Sequence, residues 1–220
     1  MLNKTLILIV VLALSLPTQT FAHKRAKYNI VIDTDAGADD FRAITLFCAS
    51  KDFNINCITT VDGVLDPKTG ANYISMLMGI YHHEGIPVGA GKDYKASKKF
   101  EKHALPFWKN VFENSSEKSL PDAISLIGNS IKSEKGRTII VAMGPLSNIS
   151  EMISEYPENI LKTEMILWFC EFDKTPIGFN YEQDANAYEE ILAAGIPIKM
   201  ISAGNVKYSS DFTESCVYVN

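Results

Sequence analysis

The chain has 220 residues, of which 46% are hydrophobic and 21% are charged, and its formal net charge is −5. This length and composition fit one globular domain that can bury a core of its own. Because no strongly basic stretch follows the short cluster Lys24, Arg25 and Lys27, nucleic acid is not expected as a partner. The four cysteines have no CxxC spacing, which argues against a zinc site.

The first 22 residues have the features of a cleaved secretory signal. A polar start with one positive charge precedes an apolar run from Thr5 to Leu16, and Thr20 and Ala22 are small residues before a cleavage position. The apolar run is about half of the ~20 residues that a membrane span needs, so an uncleaved anchor is the weaker alternative. We therefore expect residues 1–22 to be a signal peptide. Residues 23–220 would then form a secreted or periplasmic domain with no membrane association after cleavage.

Short apolar, β-branched runs alternate with helical patterns along the rest of the chain. The predicted strands are Tyr28–Ile32, Phe53–Val61, Pro87–Gly89, Arg137–Ala142, Met165–Phe169 and Ile198–Ile201. The predicted helices are Asp39–Ser50, Thr69–His83, Pro121–Ile131, Leu146–Ser154 and Ala185–Ala194. Residues 92–118, rich in lysine and aromatic residues, predict a long loop. The alternation predicts an α/β fold with a mainly parallel, Rossmann-like sheet, helices on both faces and a site at the carboxyl ends of the strands.

Four carboxylates, at Asp33, Asp35, Asp39 and Asp40, lie directly after the first predicted strand. Like charges this close repel one another, so the cluster needs a cation or shared protons. All of its ligands are hard oxygens, which suit Ca²⁺ or Mg²⁺ rather than zinc. We expect Gly37 to let the chain turn sharply between the two acidic pairs.

Other origins for this cluster explain it less well. An EF-hand loop that began at Asp33 would need glycine and glutamate where Ala38 and Ile44 stand. A phosphatase of the haloacid dehalogenase type also opens with Asp-x-Asp after an apolar strand, but the glycine-threonine pair that would follow Asp35 is missing. Helix capping alone accounts for two of the carboxylates and leaves the others unexplained.

The segment Ile32–Asp40 (IDTDAGADD) resembles the DTDPGxDD signature of nucleoside hydrolases, with alanine where the family usually has proline. Three further segments resemble family motifs in the same order. They are Ile58–Val64 (similar to ITTVAGN), Val141–Ile149 (similar to GPLTNIA) and Gly178–Ala187 (similar to EFN followed by DPEAA). The resemblance spans about residues 29–202. It implies calcium-dependent hydrolysis of the N-glycosidic bond of ribonucleosides to ribose and free base, in purine or pyrimidine salvage.

The resemblance also implies a role for each matched residue. Asp35 would ligate Ca²⁺ and act as general base on the attacking water, and Asp40 would be a second ligand. The main-chain carbonyl of Met143 would be a third, while Asp39 and Asn180 would hydrogen-bond the ribose. Carboxylates suit this chemistry, because breaking an N-ribosyl bond develops positive charge on the sugar.

The chain also departs from the family pattern. Val64 stands where an asparagine normally contacts the substrate, Asp62 replaces a small residue, and Gly178 replaces a glutamate that binds ribose. The chain ends at Asn220, before the late aspartate of the metal shell and, in some subgroups, the histidine that protonates the leaving base. The acidic residues that could substitute are Glu171, Asp173, Asp184 and Glu214.

Two hypotheses follow from the motifs and the departures. The first is an exported nucleoside N-ribohydrolase that acts on a small-molecule ribonucleoside, either as a monomer or as a homo-oligomer. The second is a catalytically inactive relative, either a binding protein or a truncated product. His82, His83 and His103 are expected at the surface, and a packing role is at least as well supported for Trp108 and Phe107 as contact with a base.

The signal-peptide hypothesis predicts the N-terminus of the exported protein. If residues 1–22 are removed, N-terminal sequencing of material recovered outside the cytoplasm should begin at His23. A sequence that begins at Met1 in exported material would contradict cleavage.

Overall fold

The computed structural model describes residues 26–112, 119–202 and 216–219. The strands are β1 (Tyr28–Thr34), β2 (Phe53–Thr60), β3 (Val88–Ala90), β4 (Thr138–Ala142), β5 (Thr163–Phe169), β6 (Glu171–Asp173), β7 (Thr175–Ile177), β8 (Ile198–Ile201) and β9 (Cys216–Val219). The helices are α1 (Ala38–Ala49), α2 (Pro67–Ile80), α3 (Glu101–Val111), α4 (Ala123–Ser133), α5 (Ser147–Glu155), α6 (Phe179–Gln183) and α7 (Ala185–Ala193), with a 3₁₀ turn at Pro157–Lys162. The predicted signal peptide and Glu214 lie outside the described residues. No helix in these described ranges is long and apolar enough to cross a membrane.

One sheet organises the described part of the chain. Its strand order is β3-β2-β1-β4-β5-β8-β9, in which β9 runs antiparallel to β8 and every other pair is parallel. The predicted mainly parallel α/β sheet is therefore confirmed. The sequence did not predict β9, nor the antiparallel hairpin that β6 and β7 form outside this sheet.

The central strands β1 and β4 are largely buried on both faces, which explains why both are mostly apolar. Alternate residues of β1 point to opposite sides of the sheet. Ile30 and Ile32 pack with the buried side chains of α1, α2 and α3. Val31 packs on the other side with those of α4, α5 and α7. Helices therefore cover both faces of the sheet, as predicted.

The direction of the strand order reverses between β1 and β4. From β1 the chain adds β2 and then β3 on one side, whereas β4 pairs with the other side of β1. Such a reversal leaves a crevice at the carboxyl ends of the two strands, where α/β sheets bind their ligands. Asp33 lies at this end, in register with Thr59 of β2 and Ala142 of β4.

The prediction that residues 92–118 form a loop is wrong for α3. Ala104 and Trp108 are one helical turn apart, and both are buried against the core. Trp108 stacks on Tyr73 at 5.5 Å between ring centroids, and its indole Nε1 donates to the carbonyl of Ala36 at 2.8 Å. This packing outweighs the cost of Pro106 inside the helix. Trp108 has no exposed surface, so of the two roles that the sequence left open the fold gives it packing.

Trp108 should contribute strongly to stability because it joins α3 to the acidic loop after β1. We expect Trp108→Ala to lower the free energy of unfolding by about 3–5 kcal/mol, as truncations of large buried rings do. Trp108→Phe keeps the stacking and should cost less. The matched control is Leu46→Ala, since Leu46 is 71% exposed and its truncation should change stability by at most about 0.5 kcal/mol. Urea denaturation measures all three, and equal losses for the Trp108 and Leu46 alanine variants would contradict the assignment.

Candidate active site

The acidic loop turns at Ala36 rather than at Gly37. Ala36 has a φ of 59°, in the left-handed region that alanine rarely occupies, whereas Gly37 has a φ of −59°. The expectation that Gly37 makes the sharp turn is therefore wrong. A Cβ at Gly37 would lie 2.7 Å from Oδ1 of Asp39, so another residue there would displace the Asp39 side chain. Ala36 is held by Trp108 and by its own N–H, which donates to Oγ1 of Thr34 at 3.0 Å.

Backbone and hydroxyl donors orient two buried carboxylates of the cluster, Asp35 and Asp40. Val64 N–H donates to Oδ2 of Asp35 at 3.1 Å. The Thr34 hydroxyl donates to Oδ2 of Asp40, which also accepts from Gly37 N–H at 3.3 Å. Both carboxylates are buried, and their side chains are close enough to share a hydrogen bond. The loop thus fixes two acidic groups against one another.

Burial makes these carboxylates reluctant to ionise. It raises the pKa of Asp35 to about 6, an effect that the Val64 hydrogen bond partly opposes. It also raises the pKa of Asp40 well above its usual value, and the negative charges of Asp35 and Asp39 add to this shift. A bound cation would reverse both effects, because it favours the ionised forms.

Asp33 lies behind this pair and is fully buried at the end of β1. Its Oδ1 accepts from Thr59 Oγ1 at 2.6 Å and from Asn148 Nδ2 at 2.9 Å, whereas its Oδ2 has no hydrogen-bond partner. Burial raises the pKa of Asp33 to about 7, against the effect of these two donors. Asp33 therefore supports the loop from behind, and the side chains in front of it face the crevice.

A cavity of about 460 Å³ opens in front of the loop. The residues for which the sequence predicts a direct role all line it: Asp35, Asp39, Asp40, Met143 and Asn180. Carboxylates cover its floor, and Asp39 is exposed at its mouth. The opposing walls are mostly apolar and consist of Val64, Phe100, Ala104, Phe169, Ile177 and Phe179. An acidic floor under an apolar wall suits a ligand with one polar and one flat, apolar part.

Asn180 is fixed by the backbone rather than free in the cavity. Its Nδ2 donates to the carbonyl of Met143 at 2.8 Å and to the carbonyl of Phe169 at 2.9 Å. Both amide hydrogens are therefore used, and the side-chain oxygen is the group left to accept from a ligand. The carbonyl oxygen of Met143 has two lone pairs, and Asn180 uses only one of them.

The sequence did not identify several residues of the cavity wall. Phe100 and His103 lie at the start of α3, which the sequence placed in a loop, and His103 is exposed as expected but borders the cavity. Phe100 packs edge-to-face on Phe179, with ring centroids 5.0 Å apart. Local sequence gave one usable signal, the helical spacing of Ala104 and Trp108.

The structure shows what surrounds Gly178 and where two of the predicted acidic substitutes lie. Gly178 has a φ of 89°, and a Cβ there would lie 3.2 Å from Cγ of Glu171, so the Glu171 side chain occupies that space. Glu171 also borders the cavity, which makes it better placed than Asp173 and Asp184, the other predicted acidic substitutes that the structure describes. Asp184 accepts from Ser147 at 2.6 Å and caps α7 through Ala187 N–H, so it serves the helix instead.

The donors in the cavity fit a hard cation, although they do not complete a site by themselves. Within the described residues, no group of three or more His, Cys, Asp or Glu side chains has metal-binding geometry. Asp35 and Asp40 are nevertheless two buried carboxylates held together without a basic side chain among their hydrogen-bond partners. With the carbonyl of Met143 they offer only oxygen atoms, which Ca²⁺ and Mg²⁺ prefer.

The fold and the cavity define an α/β protein with a cavity at the switch point of its sheet. The family model of the inosine-uridine preferring nucleoside hydrolases matches residues 30–217. The chain belongs to this family.

Individual relatives agree with this assignment. The chain is 28% identical to an uncharacterised protein of Schizosaccharomyces pombe, over 79% of this chain and 60% of that protein. It is also 28% identical to the pyrimidine-specific ribonucleoside hydrolase RihA of Shewanella woodyi, over 78% of this chain and 58% of that protein. A solved inosine-guanosine nucleoside hydrolase has the same fold, with a TM-score of 0.71 at 20% identity over 80% of this chain and 62% of that one. The chain thus spans about 60% of the length of the relatives that it matches.

The raised pKa values predict how stability depends on pH when a chelator removes divalent cations. Asp33 and Asp35 bind protons more tightly in the folded protein, with pKa values of about 7 and about 6 instead of 3.8. Their protonated forms therefore stabilise the fold at low pH, and this contribution is lost as the pH rises from about 4 to about 7. Each group contributes a slope of at most about 1.4 kcal/mol per pH unit.

Urea denaturation at several pH values measures this slope. Asp35→Asn should flatten it between about pH 4 and pH 6. Asp52→Asn is the matched control, because Asp52 is an exposed aspartate paired with Lys27 on the surface. A free energy of unfolding that rises over this range in chelator, or equal slopes in the wild type and Asp35→Asn, would overturn the assignment.

Proposed function

We propose that the protein hydrolyses the N-glycosidic bond of ribonucleosides and releases ribose and the free base. The observation that carries this proposal is the pair of buried carboxylates, Asp35 and Asp40, on the floor of a cavity with aromatic walls. Membership of the nucleoside hydrolase family supports the same reaction.

Asp35 is suited to act as the general base. Without a cation, burial raises its pKa to about 6, so the carboxylate is mostly ionised at neutral pH. A bound cation favours the ionised form further, and this is the form that takes a proton from water. The water oxygen forms a bond to the anomeric carbon of ribose as the bond from that carbon to the base nitrogen breaks. The electron pair of the broken bond leaves with the base, which takes up a proton from solvent, and Asp35 then releases the proton that it took from water. The carboxylates on the floor stabilise the positive charge that the sugar develops.

The two parts of the substrate match the two sides of the cavity. The ribose would lie on the floor, where Asp39 and the side-chain oxygen of Asn180 accept hydrogen bonds from its hydroxyls. The base would lie against the wall formed by Phe100, Phe169 and Phe179, since flat rings stack well on aromatic side chains. This orientation brings the bond to be broken close to Asp35.

We further propose Ca²⁺ as the cation of the site, held by Asp35, Asp40 and the carbonyl of Met143. These ligands are fewer than the six to eight oxygens that Ca²⁺ takes, so we expect modest affinity, with water and ribose hydroxyls filling the shell. The bound cation would supply a Lewis acid that makes the attacking water more acidic. The burial of both carboxylates supports this, because a cation offsets their mutual repulsion.

Ribose release from a panel of purine and pyrimidine nucleosides tests the function. We expect the wild type to release ribose, a chelator to stop the reaction and Ca²⁺ to restore it better than Mg²⁺. Asp35→Asn should lower kcat by about 10²-fold or more, since it removes the base. Asp40→Asn should raise the Ca²⁺ concentration needed for half-maximal activity. Asp52→Asn again serves as the control and should match the wild type.

Other outcomes would reject all or part of this proposal. No ribose release from any nucleoside, with Ca²⁺ present, would favour the inactive relative that binds its ligand without cleaving it. Activity that is insensitive to the chelator would reject the cation while leaving the hydrolysis. Equal calcium dependence of Asp40→Asn and the wild type would remove Asp40 from the ligands.

A further inference from the structure

The carboxylate of Asp35 is enclosed by a short loop that follows β2, residues 62–65. Val64 N–H donates to its Oδ2 at 3.1 Å, and Leu65 N–H donates to the main-chain carbonyl of Asp35 at 3.1 Å. Gly63 presses so closely on this side chain that a Cβ there would lie 2.6 Å from Oδ2 of Asp35. The position of Asp35 therefore depends on the position of the 62–65 loop.

Lys98 holds that loop from the other side. Its ammonium group donates to the carbonyl of Leu65 at 3.2 Å and to the carbonyl of Gly63 at 3.4 Å, and it forms an ion pair with Oδ1 of Asp62. The Asp62 side chain has no exposed surface, whereas that of Lys98 is 31% exposed. The ammonium group of Lys98 thus contacts three of the four residues of the loop.

The Asp62 carboxylate also binds the segment that carries Lys98. Its Oδ2 accepts from the N–H of Ala96 at 2.9 Å, so both oxygens of this buried carboxylate have partners. A buried carboxylate that lost its ammonium partner would be left uncompensated, which destabilises a fold strongly. The 62–65 loop and residues 96–98 are therefore fixed to one another by charge as well as by backbone contacts.

From these contacts we infer that Lys98 is a positioning residue for Asp35, acting through the 62–65 loop, with Asp62 as the anchor of its ammonium group. Lys98 does not line the cavity, so it would act on Asp35 only through this loop. It holds the peptide of Val64 where that peptide's N–H binds the carboxylate of Asp35. The inference rests on the proposed function for its effect on rate, but the contacts themselves do not depend on that function.

The decisive variant is Lys98→Met, which keeps the length of the side chain and removes its charge. We expect kcat for ribose release to fall by about 10- to 100-fold, because small displacements of a catalytic group cost rate steeply. KM should change by less than about threefold, since Val64 is the one lining residue of the cavity that lies in the 62–65 loop. Lys98→Arg should recover part of kcat, because a guanidinium group can donate to the carboxylate and to a carbonyl.

A double variant separates positioning from charge compensation. In Asp62→Asn with Lys98→Met no buried charge is left unpaired, so thermal stability should return close to that of the wild type. The contacts to the carbonyls of Gly63 and Leu65 are still missing, so kcat should stay low. Recovery of kcat together with stability would mean that Lys98 only neutralises Asp62, and the inference would be wrong.

Lys95→Met is the matched control. Lys95 lies in the same segment and senses the charge of Asp62, but its ammonium group pairs with the exposed Asp93 and does not contact the 62–65 loop. Its loss should leave kcat and KM unchanged. A fall in kcat equal to that of Lys98→Met would show a general effect of charge and would overturn the inference.

Amide hydrogen exchange gives a readout that does not require catalysis. The amides of Val64 and Leu65 should exchange at least about tenfold faster in Lys98→Met, and at the wild-type rate in Lys95→Met, because Lys98 holds their loop closed. If the wild type releases no ribose but these amides behave as expected, the proposed function fails and the positioning contact stands. If the amides stay protected in Lys98→Met, the positioning role fails whatever the activity.

Discussion

The site depends on one electrostatic constraint, the burial of neighbouring carboxylates at the carboxyl end of β1. Asp33, Asp35 and Asp40 have little or no contact with solvent, and burial raises the pKa of each. A folded protein tolerates such a cluster only with shared protons, dense hydrogen bonding or a cation. The surrounding structure supplies the hydrogen bonds, and the proposed calcium site would supply the charge.

Neighbouring elements stabilise these carboxylates with hydroxyl, side-chain amide and backbone hydrogen-bond donors. Thr59 and Asn148 bind Asp33 from β2 and α5, while Thr34 and the peptide of Val64 bind Asp40 and Asp35. These donors come together because β1 is central in the sheet, with β2 on one side and β4 on the other. The same sheet order that creates the crevice therefore also creates the support for its floor.

The cavity combines a polar floor and an apolar wall, which come from different parts of the chain. Its floor is built from the loop after β1, whereas part of its wall is built from α3, which is held down by Trp108 and preceded by Lys98. Residues from the hairpin β6–β7 and from α6 complete the wall. In the proposed reaction the polar floor would bind the sugar of a nucleoside and the apolar wall would bind its base.

The sequence by itself determined the α/β class, the acidic floor and the family, because these depend on local patterns: apolar runs, a dense acidic segment and short motifs in a fixed order. The fold alone decided that Ala36 makes the left-handed turn, that α3 is a helix, and that Phe100, His103 and Glu171 border the cavity. The pairing of Lys98 with Asp62 was also decided by the fold, since the two residues are 36 positions apart in the sequence. Contacts between distant residues follow from how the loops pack over the sheet, and no local pattern encodes that packing.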